Sequence, residues 1–227
     1  MKQFCRLFVV AALMVGVMSC GKDEEKSSSN DQPQGPEAVD MGLSVKWASY
    51  NLGAKTPEEA GGYFAWGEVA SKSNFTWDNY RYGLYDRNAA PDYGMTRYCV
   101  EDGIITLLKS DDAAFAIWGD SWRMPTVEEV EELLDTNNCI WSIVEENGTA
   151  TGHKVVSKKT GKSIFLPRVG YYPAGDAHSG GAHYWTSNVV SDYVAYAQSM
   201  DMSGGEPVGY LMNNDRASGL CIRPVKK

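Results

Sequence analysis

Hydrophobic and polar positions change over in short blocks along most of this chain, and only two stretches carry helical spacing. Val127, Val130, Leu133 and Leu134 share one face of a helix whose start is written just before them. Thr126-Val127-Glu128-Glu129 is a capping box, in which Thr126 accepts the Glu129 amide while the Glu129 side chain reaches back. Pro125 precedes it, and acidic residues fill the first turns, where they favour the positive helix end. A shorter helix is predicted from about Asp111 to Trp118, started by Ser110 and stopped by Gly119. The rest reads as strands. Tyr63 to Glu68 forms a short aromatic strand, and His153–Ser157 and Ser163–Leu166 flank Lys158-Lys159-Thr160-Gly161 as a hairpin. Tyr184–Ser187, Val194–Met202, Val208–Met212 and Gly219–Val225 follow, the last two joined by Asn213-Asn214-Asp215-Arg216. Two helices ahead of a late meander of strands predict an α+β domain with long loops around one antiparallel sheet.

The N-terminus has another pattern. Lys2 and Arg6 precede an apolar run from Leu7 to Met18. A membrane span needs about 20 apolar residues, so residues 1–19 read as a secretory signal. The run ends Val17-Met18-Ser19-Cys20, which resembles the lipobox of bacterial lipoproteins and implies that Cys20 carries the lipid anchor. Residues 20–37 contain no aromatic or β-branched residue and predict a polar, flexible tether. Its start, Lys22-Asp23-Glu24-Glu25, resembles the export tag of Bacteroidetes lipoproteins displayed on the outer face of the outer membrane. Residues 38–227 remain for the folded domain.

Composition narrows the functions open to that domain. A formal charge of −8 and a pI near 4.9 argue against nucleic acid, whose phosphates need a concentrated basic surface. The 23 Gly, 7 Trp and 13 Tyr suit short strands and tight turns. Of the 5 Cys, Cys5 leaves with the signal and Cys20 takes the lipid. An oxidising compartment allows Cys99, Cys139 and Cys221 one disulfide and one free thiol, but their spacing does not select the pair.

Several motifs recur in a recognisable order. They are Glu37-Ala38-Val39-Asp40-Met41-Gly42-Leu43-Ser44-Val45-Lys46-Trp47-Ala48, Tyr63-Phe64-Ala65-Trp66-Gly67-Glu68 and Asp111-Asp112-Ala113-Ala114. Trp118-Gly119-Asp120-Ser121-Trp122-Arg123-Met124-Pro125-Thr126 is the most specific, and Ser163-Ile164-Phe165-Leu166-Pro167, Gly170-Tyr171, Tyr184-Trp185-Thr186-Ser187 and Arg223-Pro224-Val225 complete the series. The series resembles the Fibrobacter succinogenes major paralogous domain across nearly all of Glu37 to Val225. That resemblance implies a C-type-lectin-like fold related to the formylglycine-generating-enzyme subtype, on secreted proteins and lipoproteins. It implies no activity. Trp47, Trp66, Trp118, Trp122 and Trp185 sit beside small residues and are expected to pack the core. Arg123 and Arg223 are expected to be buried guanidiniums bonding loop carbonyls or Asp111 and Asp112.

Catalytic and metal-binding patterns are sparse. His153, His178 and His183 show no HExxH or zinc spacing, and His178 and His183 read as solvated loop residues. There is no G-x-S-x-G elbow, P-loop or G-x-G-x-x-G. Glu206-Pro207 is followed by Val208 and Trp185 by Thr186, both departures from the calcium-binding motifs of C-type lectins. Only Cys221 lies where formylglycine-generating relatives need a pair. The expectation is a domain with no catalytic residue, cofactor or metal. Its late loops mix rings with amide and charged groups, and Tyr184, Trp185, Tyr210, Asn213, Asn214, Asp215 and Arg216 are the candidate ligand contacts. Asn213-Asn214-Asp215 is equally ordinary turn chemistry. The expected role is a cell-surface lipoprotein recognising a glycan or a protein. The alternatives are a structural envelope or adhesin subunit and, behind that, an enzyme of envelope glycans.

Overall fold

The computed structural model describes residues 36–227. The signal, Cys20 and the tether as far as residue 35 lie outside the described residues. The elements are β1 (Ala38–Val39), β2 (Lys46–Ala48), α1 (Ala113–Trp118), α2 (Val127–Leu134), β3 (Cys139–Glu146), β4 (Thr149–Ser157), β5 (Ser163–Pro167), β6 (His183–Val189), β7 (Tyr196–Asp201), β8 (Tyr210–Asp215) and β9 (Val225–Lys226). The domain is α+β. In place of one antiparallel sheet there are three small ones, ordered β1-β2-β9, β3-β4-β5 and β6-β7-β8.

Both expected helices are present, and α2 forms where its start signal predicts. Thr126 Oγ1 accepts the Glu129 N–H at 3.4 Å, and the Glu129 carboxylate accepts the Thr126 N–H at 2.9 Å. Helix α1 starts later than expected, because Lys109–Asp111 tightens into a 3-10 turn. Asp112, not Ser110, caps it by accepting the Ala114 and Phe115 amides at 2.9 and 3.2 Å.

Strand β3 has no counterpart among the sequence expectations. It turns into β4 at Asn147-Gly148, both left-handed at φ 52° and 75°, the two-residue turn whose twist matches paired strands. The expected connection at 213–216 is also revised. Asn213, Asn214 and Asp215 are paired β8 residues opposite Gln198, Ala197 and Tyr196, and the chain turns only after them. Gly219–Val225 enters a sheet only at its last residue, Val225 of β9. It threads the interior through single bridges, Gly219 to Tyr172, Leu220 to Phe64, Cys221 to Tyr184 and Val225 to Arg123. Tyr63–Glu68 is likewise reduced to the one bridge at Phe64.

The core has two aromatic centres. Trp66, Tyr98 and Trp185 organise one, and Trp47, Leu133 and Trp141 the other. Three of the buried indole N–H groups are matched by carbonyls: Trp66 Nε1 donates to Thr186 O at 2.9 Å, Trp185 Nε1 to Phe64 O at 2.7 Å and Trp141 Nε1 to Leu133 O at 2.9 Å, whereas Trp47 Nε1 is buried without a partner among the described residues. Trp122 is buried with them and Trp118 is half-buried. Arg223 is fully buried and donates to Asn51 Oδ1, Ala48 O and Phe165 O at 2.8–3.1 Å, tying the first and last segments to β5. Arg123 is half-buried and bonds the Met124 carbonyl at 3.0 Å as expected, but its carboxylate partner is Glu129; Asp111 is met by Arg97, at 2.9 Å. Cys99, Cys139 and Cys221 are all buried free thiols. Burial pushes the Cys221 thiol up to about 12 against the pull of Arg223, and raises Cys139 too, so both stay protonated and unreactive.

His183 is buried rather than solvated, and His153 in β4 is buried as well. Burial lowers the pKa of each, outweighing the Glu206 backbone at His153 and Asp201 at His183. The unfolded chain, with ordinary histidines near 6.5, therefore binds more protons than the fold as pH drops through that value. Stability is full above it and is lost toward the lower folded pKa. Stability is therefore expected to fall between about pH 7.5 and 5.5. Buried Asp112 and Asp215, whose pKa values burial raises, act in the opposite sense at lower pH. Urea midpoints at the two pH values measure the loss, and His153→Phe should roughly halve it; an equal loss in that variant would assign the effect elsewhere.

Candidate functional site

The structure disperses the residues marked for ligand contact. Trp185 and Arg216 are fully enclosed and Tyr184 is 2% exposed. Tyr184 donates its hydroxyl to Pro167 O at 2.9 Å. Asn214 is buried and donates to Ser199 Oγ at 2.8 Å. The physical reason is that β6 is covered on both faces and the 216–225 segment runs through the interior. Tyr184, Trp185, Asn214 and Arg216 are therefore corrected to framework residues. Tyr210 and Asn213 are exposed and Asp215 is half-buried, and these three alone of the set face outward.

A better-formed site lies against α1. The chain leaves that helix at Gly119, whose φ of 84° ends the helical path, and turns through Asp120 and Ser121 to the buried Trp122. The Arg123–Val225 bridge then draws the C-terminal strand alongside. These segments enclose a cavity of about 470 Å³ whose walls include Phe115, Trp122, Ser121 and Asp120, with Lys109, Lys226 and Lys227 at its edge. Lys226 Nζ sits 4.7 Å above the Trp122 ring and Lys109 Nζ 5.3 Å from the Phe115 ring centre.

The charges in this cavity do not cancel. Arg123 is committed to Glu129, with Nη1 at 2.7 Å from the carboxylate, and to Met124 O at 3.0 Å. Burial pushes Glu129 up, but its bonds from Arg123 and the Thr126 amide outweigh burial and hold it below the ordinary carboxyl range. That pair is internally neutral. Asp112 faces inward to cap α1 and to accept the Met124 amide at 2.8 Å; burial raises its pKa against those bonds and Arg123. Asp120 is left against Lys109, Lys226 and Lys227, so the side chains of the cavity carry a positive excess, reduced by the Lys227 α-carboxylate, in a chain of charge −8.

A larger cavity of about 680 Å³ lies beside β4 and β5, walled by Val144, Ile164 and Phe165. Its charged groups are Glu37, Glu58, Glu146 and Lys154, so it shares the sign of the whole chain. The smaller cavity reverses that sign and adds aromatic walls, which a third cavity beside Lys158 and Lys159 lacks, and that combination marks it as the candidate site. The Trp118–Thr126 motif that forms part of its wall stood out in the sequence. The convergence of Lys109 with Lys226 and Lys227, more than a hundred positions apart, left no local signal.

Among the described residues, no cluster of three His, Cys, Asp or Glu side chains is placed to hold a metal ion, and no helix is long and apolar enough to cross a membrane. No family model matches the chain, and neither a curated protein nor a solved structure does so.

Proposed function

We propose that this chain is a lipid-anchored protein of the outer-membrane surface whose domain recognises an anionic saccharide in the cavity between α1 and β9. The observation that carries the proposal is the set of three lysines converging on aromatic walls in a net-acidic protein. A carboxylated or sulfated sugar pairs its anion with the ammonium groups and lays its apolar ring face on the half-buried Phe115. Ser121 and Asp120 supply a hydroxyl and a carboxylate for sugar hydroxyls. Recognition of this kind needs no reaction step. The anchor rests on the lipobox at Cys20 and the acidic run behind it, and the lectin-like assignment on the ordered series of motifs from Glu37 to Val225.

Whole cells displaying the chain, assayed on acidic and neutral glycans before and after surface proteolysis, test both halves. Acidic glycans are expected to bind preferentially, with affinity falling as salt rises. Lys109→Ala combined with Lys226→Ala should weaken binding about 10- to 100-fold, or about 1.4–2.8 kcal/mol. Equal binding of neutral glycans, or an unchanged double variant, would refute the site. Binding that survives proteolysis of intact cells would refute surface display.

A further inference from the structure

A second constellation lies where β6 and β7 pair. His183 stands opposite Asp201 in the antiparallel register, and the chain beyond β7 returns Ser203 to the same imidazole. Ser203 Oγ lies 2.9 Å from His183 Nε2, and His183 Nδ1 lies 3.8 Å from Asp201 Oδ2. The Ala182 N–H donates to Ser203 Oγ at 3.4 Å, so the serine's own proton is free to point at Nε2. With Nε2 accepting, the ring proton sits on Nδ1 and faces Asp201. Nδ1 is buried and has no hydrogen-bond partner in range, a gap that a small closure toward Asp201 would fill.

The surroundings fix the other members. Asp201 Oδ1 accepts the Ser203 N–H at 2.6 Å and Oδ2 accepts the Tyr210 hydroxyl at 3.1 Å. Tyr171 packs on the imidazole with ring centroids 3.9 Å apart. Burial, opposed by Asp201, keeps His183 below its ordinary pKa and hence an unprotonated base at neutral pH.

The loop after the serine adds an independent observation. Arg168 gathers the carbonyls of Met202, Ser203 and Gly204 at 3.2, 3.1 and 3.3 Å. In a trans peptide the N–H points opposite the carbonyl, so the next three amides turn away from the guanidinium. The Ser203 amide is taken by Asp201, while the Gly204 and Gly205 amides meet no acceptor among the described residues. Gly181 lies against the hydroxyl: a Cβ there would fall 2.0 Å from Ser203 Oγ and obstruct it.

We propose that Ser203, His183 and Asp201 form a nucleophilic centre that hydrolyses short-chain carboxylic esters, an activity beyond saccharide recognition and not dependent on it. His183 Nε2 takes the hydroxyl proton as Ser203 Oγ bonds to the acyl carbon. The Gly204 and Gly205 amides hold the oxyanion. The ester C–O bond then breaks, the alcohol leaves with the proton from Nε2, and the acyl group stays on Ser203. Water adds to that carbon, giving a proton to Nε2; the C–Oγ bond breaks and Oγ recovers the proton, releasing the acid. Asp201 is the positioning residue that holds the imidazole tautomer.

The test incubates the purified full chain with p-nitrophenyl acetate and, separately, with a fluorophosphonate probe followed by peptide mass mapping. The probe mass is expected on Ser203, and Ser203→Ala should lose turnover about 10²- to 10⁴-fold. Asp201→Asn should lower kcat and leave KM unchanged, a split that simple loosening of the fold does not produce. An unlabelled Ser203 in the parent chain overturns the proposal without any variant, and so does parent-level turnover in Ser203→Ala.

Discussion

Replacing Arg216 by alanine is expected to cost about 4–5 kcal/mol, measured as the fall in unfolding free energy by urea titration. The guanidinium is fully buried and donates to Tyr80 Oη at 2.8 Å, Val194 O at 2.9 Å, Arg97 O at 2.9 Å and Tyr98 O at 3.2 Å. It also lies 4.8–6.0 Å from the ring centres of Trp66, Tyr80, Tyr82 and Tyr98. Among the described residues no carboxylate stands within ion-pair distance of it, so carbonyl dipoles and ring faces hold this cation. Truncation empties the box and leaves three carbonyls without their charged donor, each loss worth about 1 kcal/mol or more. A domain with 5–15 kcal/mol in hand keeps little after that. Arg216→Lys should recover less than half, because one ammonium cannot reach bonds spread over a planar fork. If Arg216→Ala unfolded within 1 kcal/mol of the parent, the residue would not be a keystone of the core.

The features legible in the sequence were those set by local chemistry. The Thr126–Glu129 capping box needs only four consecutive residues, and it forms as read. The β4–β5 hairpin was equally plain around its polar turn. Strand β3 could also have been read, since Asn147-Gly148 is a strong hairpin signal followed by β4. Its alternation is blurred by Ile140, which is 55% exposed while Cys139 and Trp141 face inward. The division into three sheets was not legible. It depends on the 219–225 segment passing through the interior by single bridges, a tertiary event that strand propensity does not encode.

The candidate sites failed to show in the sequence for the same reason. Arginine, asparagine and tryptophan in a late loop have the composition of a binding face and equally that of a polar network inside the fold. Only burial separates the two. Lys109 and Lys226 come together through the Arg123–Val225 bridge, and Ser203 meets His183 through a strand pairing; neither spacing belongs to a linear motif. Conversely, the acidic total charge pointed away from a cationic cavity, because a sum over the chain hides a local reversal of sign.

Trp185→Ala supplies the second large effect, about 3–5 kcal/mol by the same titration. The indole has no exposed surface, and its removal leaves a cavity at the centre of the first aromatic cluster, beside the internal segment that Trp185 meets through its backbone bond to Cys221 O at 3.0 Å. Trp185→Phe separates packing from hydrogen bonding. It keeps most of the ring volume and deletes the Nε1 donor to Phe64 O, but that carbonyl still accepts the Leu220 amide at 3.1 Å. The acceptor is not orphaned, so the phenylalanine variant should lose only about 1–2 kcal/mol. The two readings of Trp185 differ most in saccharide binding measured on the folded phenylalanine variant. A framework residue leaves that affinity at the parent value. A loss of affinity at near-parent stability would return Trp185 to the ligand surface and require the core to open there.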